Sequence, residues 1–195
     1  LEYTAGAGSA SFLVGRENIL ARLLGTVSVT TDTPDFWRRP GEKYPEHAGR
    51  FSGEPAYFHH ISLAAEKIMS DLNMRAKDFD YCVFHTPNAK FPKIVAKRLG
   101  FTPKQLEPSL VVNKIGNTYA ASSLIALTSV LDIAKKGQKI LMVSYGSGSG
   151  SDAFVFKTTS LLEKRRKKWH GFIREQIGNL REINYPLYIK NTNSK

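Results

Sequence analysis

The sequence predicts a layered α/β domain in which helices cover both faces of a sheet. Predicted strands alternate with predicted helices, the strands are nearly continuous hydrophobic runs, and a helix between residues 119 and 134 is apolar on every side. Hydrophobic runs of this kind are typical of strands that are buried on both faces. A helix that is apolar all round must itself be buried, which indicates a middle layer.

The first thirty residues predict a hairpin. A stretch of small residues, 5–11, leads into the apolar segment Phe12–Gly15, and the second apolar segment, 23–30, is rich in β-branched residues. β-Branched residues favour strands, and small side chains allow close neighbours to approach. We therefore expect two paired, buried strands here.

Residues 31–57 are rich in proline, glycine, charged and aromatic residues, with neither a helical nor an alternating period. An irregular segment of this length in a compact domain is more often a lid or a binding loop than a simple connection. We expect it to form part of a substrate site.

The next elements follow from hydrophobic periodicity and from helix-ending signals. Gly100 stands where a glycine C-cap would end a basic amphipathic helix. The predicted helices are 59–69, 89–99 and 119–134, and the predicted strands are 81–84, 109–112, 139–145 and 153–156.

The chain carries 28 Lys and Arg against 17 Asp and Glu, a net charge of +11, and the charge is uneven along it. Residues 159–195 hold nine basic and three acidic residues, or +6, which leaves +5 for residues 1–158. We treat 159–195 as a basic extension of the same domain. No nucleic-acid-binding motif accompanies the charge, so nucleic acid is not the expected partner.

The expected compartment is the cytoplasm. The sequence has neither a membrane-spanning apolar run nor the features of a signal peptide at its start. Its one cysteine, Cys82, cannot form an internal disulfide and lies within a predicted strand, where we expect it in the core. The pair His59 and His60, together with His47 and His170, lacks the carboxylate spacing of a metal site, and we expect surface or loop roles for them.

Two polar residues stand at the ends of predicted elements. His85 follows the strand 81–84 and precedes a helix, which is where ligands and catalytic groups lie in α/β sheets. It could polarise a carbonyl group or simply cap the helix. Asn117 precedes the buried helix and could cap it or donate its amide to a thioester carbonyl.

A glycine-serine segment, 145–151, follows the predicted strand 139–145 and includes Gly146 and Ser147. Its backbone N–H groups could hold an oxyanion, although a plain turn between strands would have the same composition. It lacks the lysine of a nucleotide-binding P-loop.

Taken in order, three motifs resemble the C-terminal half of hydroxymethylglutaryl-CoA (HMG-CoA) synthases: Phe-His-Thr-Pro-Asn-Ala-Lys at 84–90, Gly-Asn-Thr-Tyr at 116–119 and Tyr-Gly-Ser-Gly at 145–148. Residues 32–39 and 49–57 are similar to the archaeal branch of that family. The resemblance covers essentially the whole chain. It implies the C-terminal half of a thiolase-like layered fold, with a mixed sheet and the helix 119–134 in its middle layer.

The resemblance also implies an acyltransferase activity, the condensation of acetyl-CoA with acetoacetyl-CoA to HMG-CoA in the mevalonate pathway of isoprenoid biosynthesis. His85 would be catalytic and would polarise the acetoacetyl group. Asn117, Gly146, Ser147 and Ser52 would bind substrate, and Lys90 would contact CoA. The family commonly has a second Lys or Arg nine residues after the histidine, where this chain has Ile94, so either Lys93 or Lys97 would have to make that CoA contact. No cofactor is implied, since the CoA thioesters are substrates.

The nucleophilic cysteine and the glutamate of the family lie in its N-terminal half, and neither motif is found in this sequence. The resemblance therefore implies a partner, either a separate subunit or the other piece of the chain, in a dimeric assembly. Archaeal relatives also suggest an acetoacetyl-CoA thiolase and a small zinc-containing OB-fold protein as partners. The alternatives are a non-catalytic scaffold or acyl-CoA-binding subunit and, last, nucleic-acid binding through residues 164–168.

Overall fold

A four-stranded mixed sheet forms the centre of the computed structural model, which describes residues 2–193. The strand order is β1-β6-β5-β4, with β4 and β5 parallel and the other two pairs antiparallel. The strands are β1 (Ala21–Thr33), β4 (Tyr81–Phe84), β5 (Lys139–Val143) and β6 (Gly148–Thr158), and a separate small ladder joins β2 (Phe36–Trp37) to β3 (Glu46–His47).

Helices cover both faces of this sheet, as the sequence predicts. The helices are α1 (Phe58–Asp71), α2 (Lys90–Arg98), α3 (Pro103–Leu106), α4 (Val112–Ile115), α5 (Ser122–Leu131), α6 (Ser160–Arg166), α7 (Ile173–Gly178) and α8 (Tyr185–Asn193). Successive residues of β4 point to opposite faces of the sheet and so enter different cores. Cys82 packs with α1, α2 and α3, whereas Val83 packs with α5 and α6.

The predicted N-terminal hairpin is wrong. Residues 12–15 form no strand, and Leu13 and Val14 are almost fully exposed, whereas β1 pairs with β6 from the far end of the chain. The small residues do allow a close approach of two chain segments, but the neighbouring segment is the one around Ile115. A Cβ on Gly6 would lie 2.0 Å from the carbonyl oxygen of Ile115, which explains the glycine there.

The predicted strand 109–112 is also wrong. The segment forms a 3-10 turn, Glu107–Ser109, followed by α4. The Ser109 hydroxyl donates to the Leu106 carbonyl oxygen (2.7 Å), a local bond that competes with strand pairing. The following helix α5 is shorter than predicted, and Leu124, Thr128 and Leu131 on it are only half-buried.

The basic extension packs against the end of α5. Arg166 Nη2 donates to the carbonyl oxygens of Leu131 (2.6 Å) and Ala134, and the Asp132 carboxylate accepts from the Ile173 backbone N–H (2.8 Å). A cation on the last carbonyl groups stabilises a helix C-terminus. Within residues 2–193, no helix combines the length and hydrophobicity needed to cross a membrane.

Candidate active site

His85 is held at the carboxyl end of β4 by its backbone. Its N–H donates to the Val143 carbonyl oxygen (2.9 Å), which continues the pairing of β4 with β5. Its carbonyl oxygen accepts from the hydroxyl of buried Tyr57 (2.6 Å). Because both backbone groups are held, the Cα–Cβ bond that carries the imidazole has a fixed position at the sheet edge.

The His85 ring lies beside a pair of tyrosines, whose own ring centroids are 5.5 Å apart. Its centroid is 6.5 Å from that of Tyr57 and 6.2 Å from that of Tyr145. Burial lowers the pKa of His85 to about 4, because the charged imidazolium loses its hydration. The ring is therefore neutral near pH 7, where one nitrogen donates a hydrogen bond and the other accepts one.

This pKa predicts a pH dependence of folding. Between the folded value of about 4 and the ordinary value of 6.5, the unfolded chain binds more protons than the folded chain. The free energy of unfolding should therefore rise from pH 4 to pH 6.5, by up to about 3 kcal/mol, and be lost again as the pH falls. Urea unfolding of the parent and of His85→Gln across this range measures the contribution. Equal slopes for the two proteins would contradict it.

A buried carboxylate connects the irregular segment 31–57 to the turn that follows β5. Asp35 is 1% exposed, and its two oxygens accept from the Tyr145 hydroxyl (2.9 Å) and from the Gly148 backbone N–H (2.6 Å). Its carbonyl oxygen accepts from the Ser52 hydroxyl (3.1 Å). Ser147 hydrogen-bonds the same Tyr145 hydroxyl. Ser52 and Ser147 are thereby brought together beside the tyrosine that contacts His85.

The glycine-serine turn uses its backbone N–H groups internally. Gly146 N–H donates to the Gly150 carbonyl oxygen (2.8 Å), and Gly148 N–H donates to Asp35. Of the two interpretations left open by the sequence, the structure favours a tight turn over an oxyanion site at these two amides. The Ser147 side chain of this turn is exposed.

Asn117 has the capping role that its sequence position allows, and its role toward a thioester stays a prediction. Its Oδ1 accepts from the Tyr119 N–H (2.8 Å) and so caps the 3-10 turn Tyr119–Ala121, rather than α5 directly. Its backbone bonds to Thr4 and Gly6 on either side. Within residues 2–193 the amide Nδ2 has no protein acceptor, so both of its hydrogens are available to a ligand.

Lys90 and Asn117 are each held by local hydrogen bonds. Within residues 2–193, neither forms a hydrogen bond with His85. Lys90 is exposed at the first position of α2, where the Asn88 Oδ1 accepts from its N–H (2.9 Å). On the other side, Thr86 bonds to Ser122 at the start of α5 (2.7 Å between hydroxyls). Helices α2 and α5 therefore both begin next to the end of β4, the strand that His85 follows.

The expectation of a surface or loop role is wrong for His60. It lies on α1, is 2% exposed, and donates from Nδ1 to the Ala56 carbonyl oxygen (2.6 Å). Its Nε2 then accepts from the Thr31 hydroxyl (2.6 Å), and its ring lies 6.0 Å from that of Tyr145. Among residues 2–193, no three His, Cys, Asp or Glu side chains are grouped as a metal site.

Comparison with known proteins shows what this chain is similar to. Residues 69–158 match the family described as 3-oxoacyl-[acyl-carrier-protein] synthase III C terminal. The chain is 57% identical over 190 residues to a hydroxymethylglutaryl-CoA synthase of Methanopyrus kandleri, and the match covers 97% of the chain and 54% of the relative. For the synthase of Methanothermobacter thermautotrophicus the identity is 50%, with 97% and 55% covered. The chain is a homologue of the C-terminal half of HMG-CoA synthases.

Solved structures confirm the thiolase-like fold. An HMG-CoA synthase complexed with CoA matches with a TM-score of 0.74 at 22% identity, over 87% of this chain and 47% of that one. A structure of MvaS in complex with 3-hydroxy-3-methylglutaryl coenzyme A matches with a TM-score of 0.73 at 20% identity, over 90% and 51%. The chain thus spans about half the length of the synthases that it matches.

Proposed function

We propose that this chain is the substrate-positioning half of an HMG-CoA synthase that condenses acetyl-CoA with acetoacetyl-CoA. The observation that carries the proposal is His85, a neutral imidazole at a sheet edge beside two tyrosines. A neutral imidazole can donate its N–H to the ketone oxygen of acetoacetyl-CoA, on which negative charge develops as the carbon–carbon bond forms.

The other residues would orient the two thioesters. Asn117 has amide hydrogens available for a thioester carbonyl oxygen, and Ser52 and Ser147 lie around the Asp35–Tyr145 pair. Tyr57 and Tyr145 exclude water from one side of the imidazole. Lys90, exposed on the first turn of α2, would contact CoA. Together these groups bind and polarise substrate but do not attack it.

The nucleophile would come from outside these residues, either from another chain or from the N-terminal half that the relatives contain. Cys82, the single cysteine of the sequence, is fully buried in β4, and burial raises the pKa of its thiol, so it remains protonated and inaccessible. In the proposed reaction that other chain or N-terminal half supplies the cysteine that becomes acetylated and the glutamate that removes a proton from the acetyl methyl group.

Exposed apolar residues indicate that this chain contacts another polypeptide segment. Leu13 is 102% exposed and Val14 92%, and the outer strand β1 exposes Leu23 and Leu24. Large apolar side chains this exposed to water favour a protein interface at these residues. They also suit the second candidate, a non-catalytic scaffold or acyl-CoA-binding subunit that docks a thiolase and a small zinc-containing OB-fold protein.

Mixing the two halves tests the proposal. We expect the purified chain alone to release no HMG-CoA from acetyl-CoA and acetoacetyl-CoA, and we expect activity when the N-terminal half of an archaeal synthase is added. Product formation is followed by mass spectrometry, with the N-terminal half alone as the control. Turnover by the isolated chain would refute the proposed division of labour.

A further inference from the structure

The imidazole of His60 joins the two ends of the irregular segment 31–57. His60 lies on α1 and is buried. Its Nδ1 donates to the carbonyl oxygen of Ala56, at the end of the segment (2.6 Å), and its Nε2 bonds to the hydroxyl of Thr31, at the start of the segment (2.6 Å). One buried side chain therefore holds together two points of the chain, and almost the whole segment lies between them.

The direction of each hydrogen bond in this group follows from its chemistry. A carbonyl oxygen can only accept, so the bond to Ala56 places the imidazole hydrogen on Nδ1 and leaves Nε2 of the neutral ring as an acceptor. The Thr31 hydroxyl then donates to Nε2, and its oxygen accepts from the Thr33 hydroxyl (2.7 Å). Each group has one role, so His60 favours a single arrangement of the two ends.

The segment between these ends carries groups of the proposed substrate site. Asp35, near its start, bonds to the Tyr145 hydroxyl (2.9 Å), and Ser52, near its end, donates to the Asp35 carbonyl oxygen (3.1 Å). The ring centroid of Tyr145 is 6.0 Å from that of His60 and 6.2 Å from that of His85. Holding both ends of the segment removes conformational freedom from the chain between them, and so limits where Asp35 and Ser52 can lie relative to His85.

We propose that His60 is a positioning residue of the synthase site, which keeps the segment 31–57 in its substrate-binding conformation through its bonds to Thr31 and Ala56. This inference rests on the proposed function. It assigns no substrate contact to His60, since the side chain is buried and both ring nitrogens are already bonded. A segment released at one end populates open conformations, and substrate binding must then supply the free energy that closes it. Releasing the segment should therefore raise KM rather than lower kcat.

Thr31→Val tests the inference in the complex with the N-terminal half, because valine keeps the shape of threonine and removes the hydroxyl that bonds to His60. We expect KM for acetoacetyl-CoA to rise about tenfold, the usual effect of leaving one buried group without its partner, with kcat within about twofold of the parent. Thr31→Ser restores the hydroxyl and should recover the parental KM. Thr30→Val makes the same substitution at the exposed neighbouring position and should leave KM unchanged.

Limited trypsin digestion of the same complex measures the segment without any reaction. Arg50 is exposed in the 3-10 turn Gly49–Ser52, and cleavage after it requires the turn to open, so the cleavage rate follows the population of open conformations. We expect cleavage after Arg50, measured by mass spectrometry, to be about tenfold faster in Thr31→Val. His60→Asn, which keeps a donor for Ala56 but is too short to reach Thr31, should give a similar increase.

Three results would overturn the inference. A parental KM or a parental cleavage rate in Thr31→Val would show that this bond does not hold the segment. A lower kcat with an unchanged KM would show that the substitution only reduces the amount of folded enzyme. An equal rise in KM for Thr30→Val would indicate a general effect on β1. A parent complex without turnover would instead overturn the proposed function, and the trypsin comparison would still show whether His60 holds the segment.

Discussion

Replacing His85 with alanine is expected to lower the turnover of the reconstituted synthase about a thousandfold, the usual loss when a donor to a developing oxyanion is removed. The dissociation constant of CoA should change little, because the imidazole acts on the acyl group and not on the nucleotide. Steady-state formation of HMG-CoA and calorimetric binding of CoA, measured on the same preparation, separate the two effects.

Two further variants sharpen this experiment. His59 neighbours His60 on α1 but is exposed, so His59→Ala should retain parental turnover. His85→Gln keeps an N–H donor of similar reach and should recover part of the lost activity. If His85→Ala turned over normally, the chain would be a scaffold or an acyl-CoA-binding subunit, and the chemistry would belong entirely to its companion.

The parts of the fold that the sequence predicted correctly depend on local patterns. The strand 81–84, the helix beginning near residue 89 and its end at Gly100 follow from hydrophobic runs and a C-cap glycine, and all are present. The strand pairing of 23–30 was wrong because the partner, β6, lies more than a hundred residues away. An apolar run shows that a strand is buried but does not show which strand lies beside it.

The site residues likewise divide into those that local sequence patterns draw attention to and those that depend on partners far along the chain. Local position left His85 and Asn117 each as either a helix cap or a substrate-binding group, and their substrate roles follow only from the resemblance to HMG-CoA synthases. Those roles stay predictions. Asp35 was missed as a site residue because its hydrogen-bond partners, Tyr145 and Gly148, lie 110 and 113 residues further along the chain. The available signal was an acid within an irregular segment rich in aromatic residues, which alone cannot show that the carboxylate is buried. Tyr57 was missed because an aromatic residue before a helix is most simply interpreted as core.

Asp35→Ala is expected to lower both stability and activity. Asp35 is buried, and its removal leaves the Tyr145 hydroxyl and the Gly148 N–H without their acceptor, which should lower the free energy of unfolding by about 3 kcal/mol. The loop that carries Ser52 and the turn that carries Ser147 would no longer be joined. A displacement of substrate-positioning groups by about 1 Å can cost about a hundredfold in rate, so turnover should fall by a similar factor.

Neighbouring substitutions distinguish a positioning role from simple loss of structure. Asp32→Ala removes an exposed acid from the same segment and should stay within about 0.5 kcal/mol of the parent. Tyr145→Phe keeps the ring beside His85 but removes the bond to Asp35, so its effect and that of Asp35→Ala should combine less than additively. Urea unfolding and turnover of the three variants and the double variant, at a temperature where all are folded, give the coupling. Full additivity would show that Asp35 acts through the loop backbone alone and not through Tyr145.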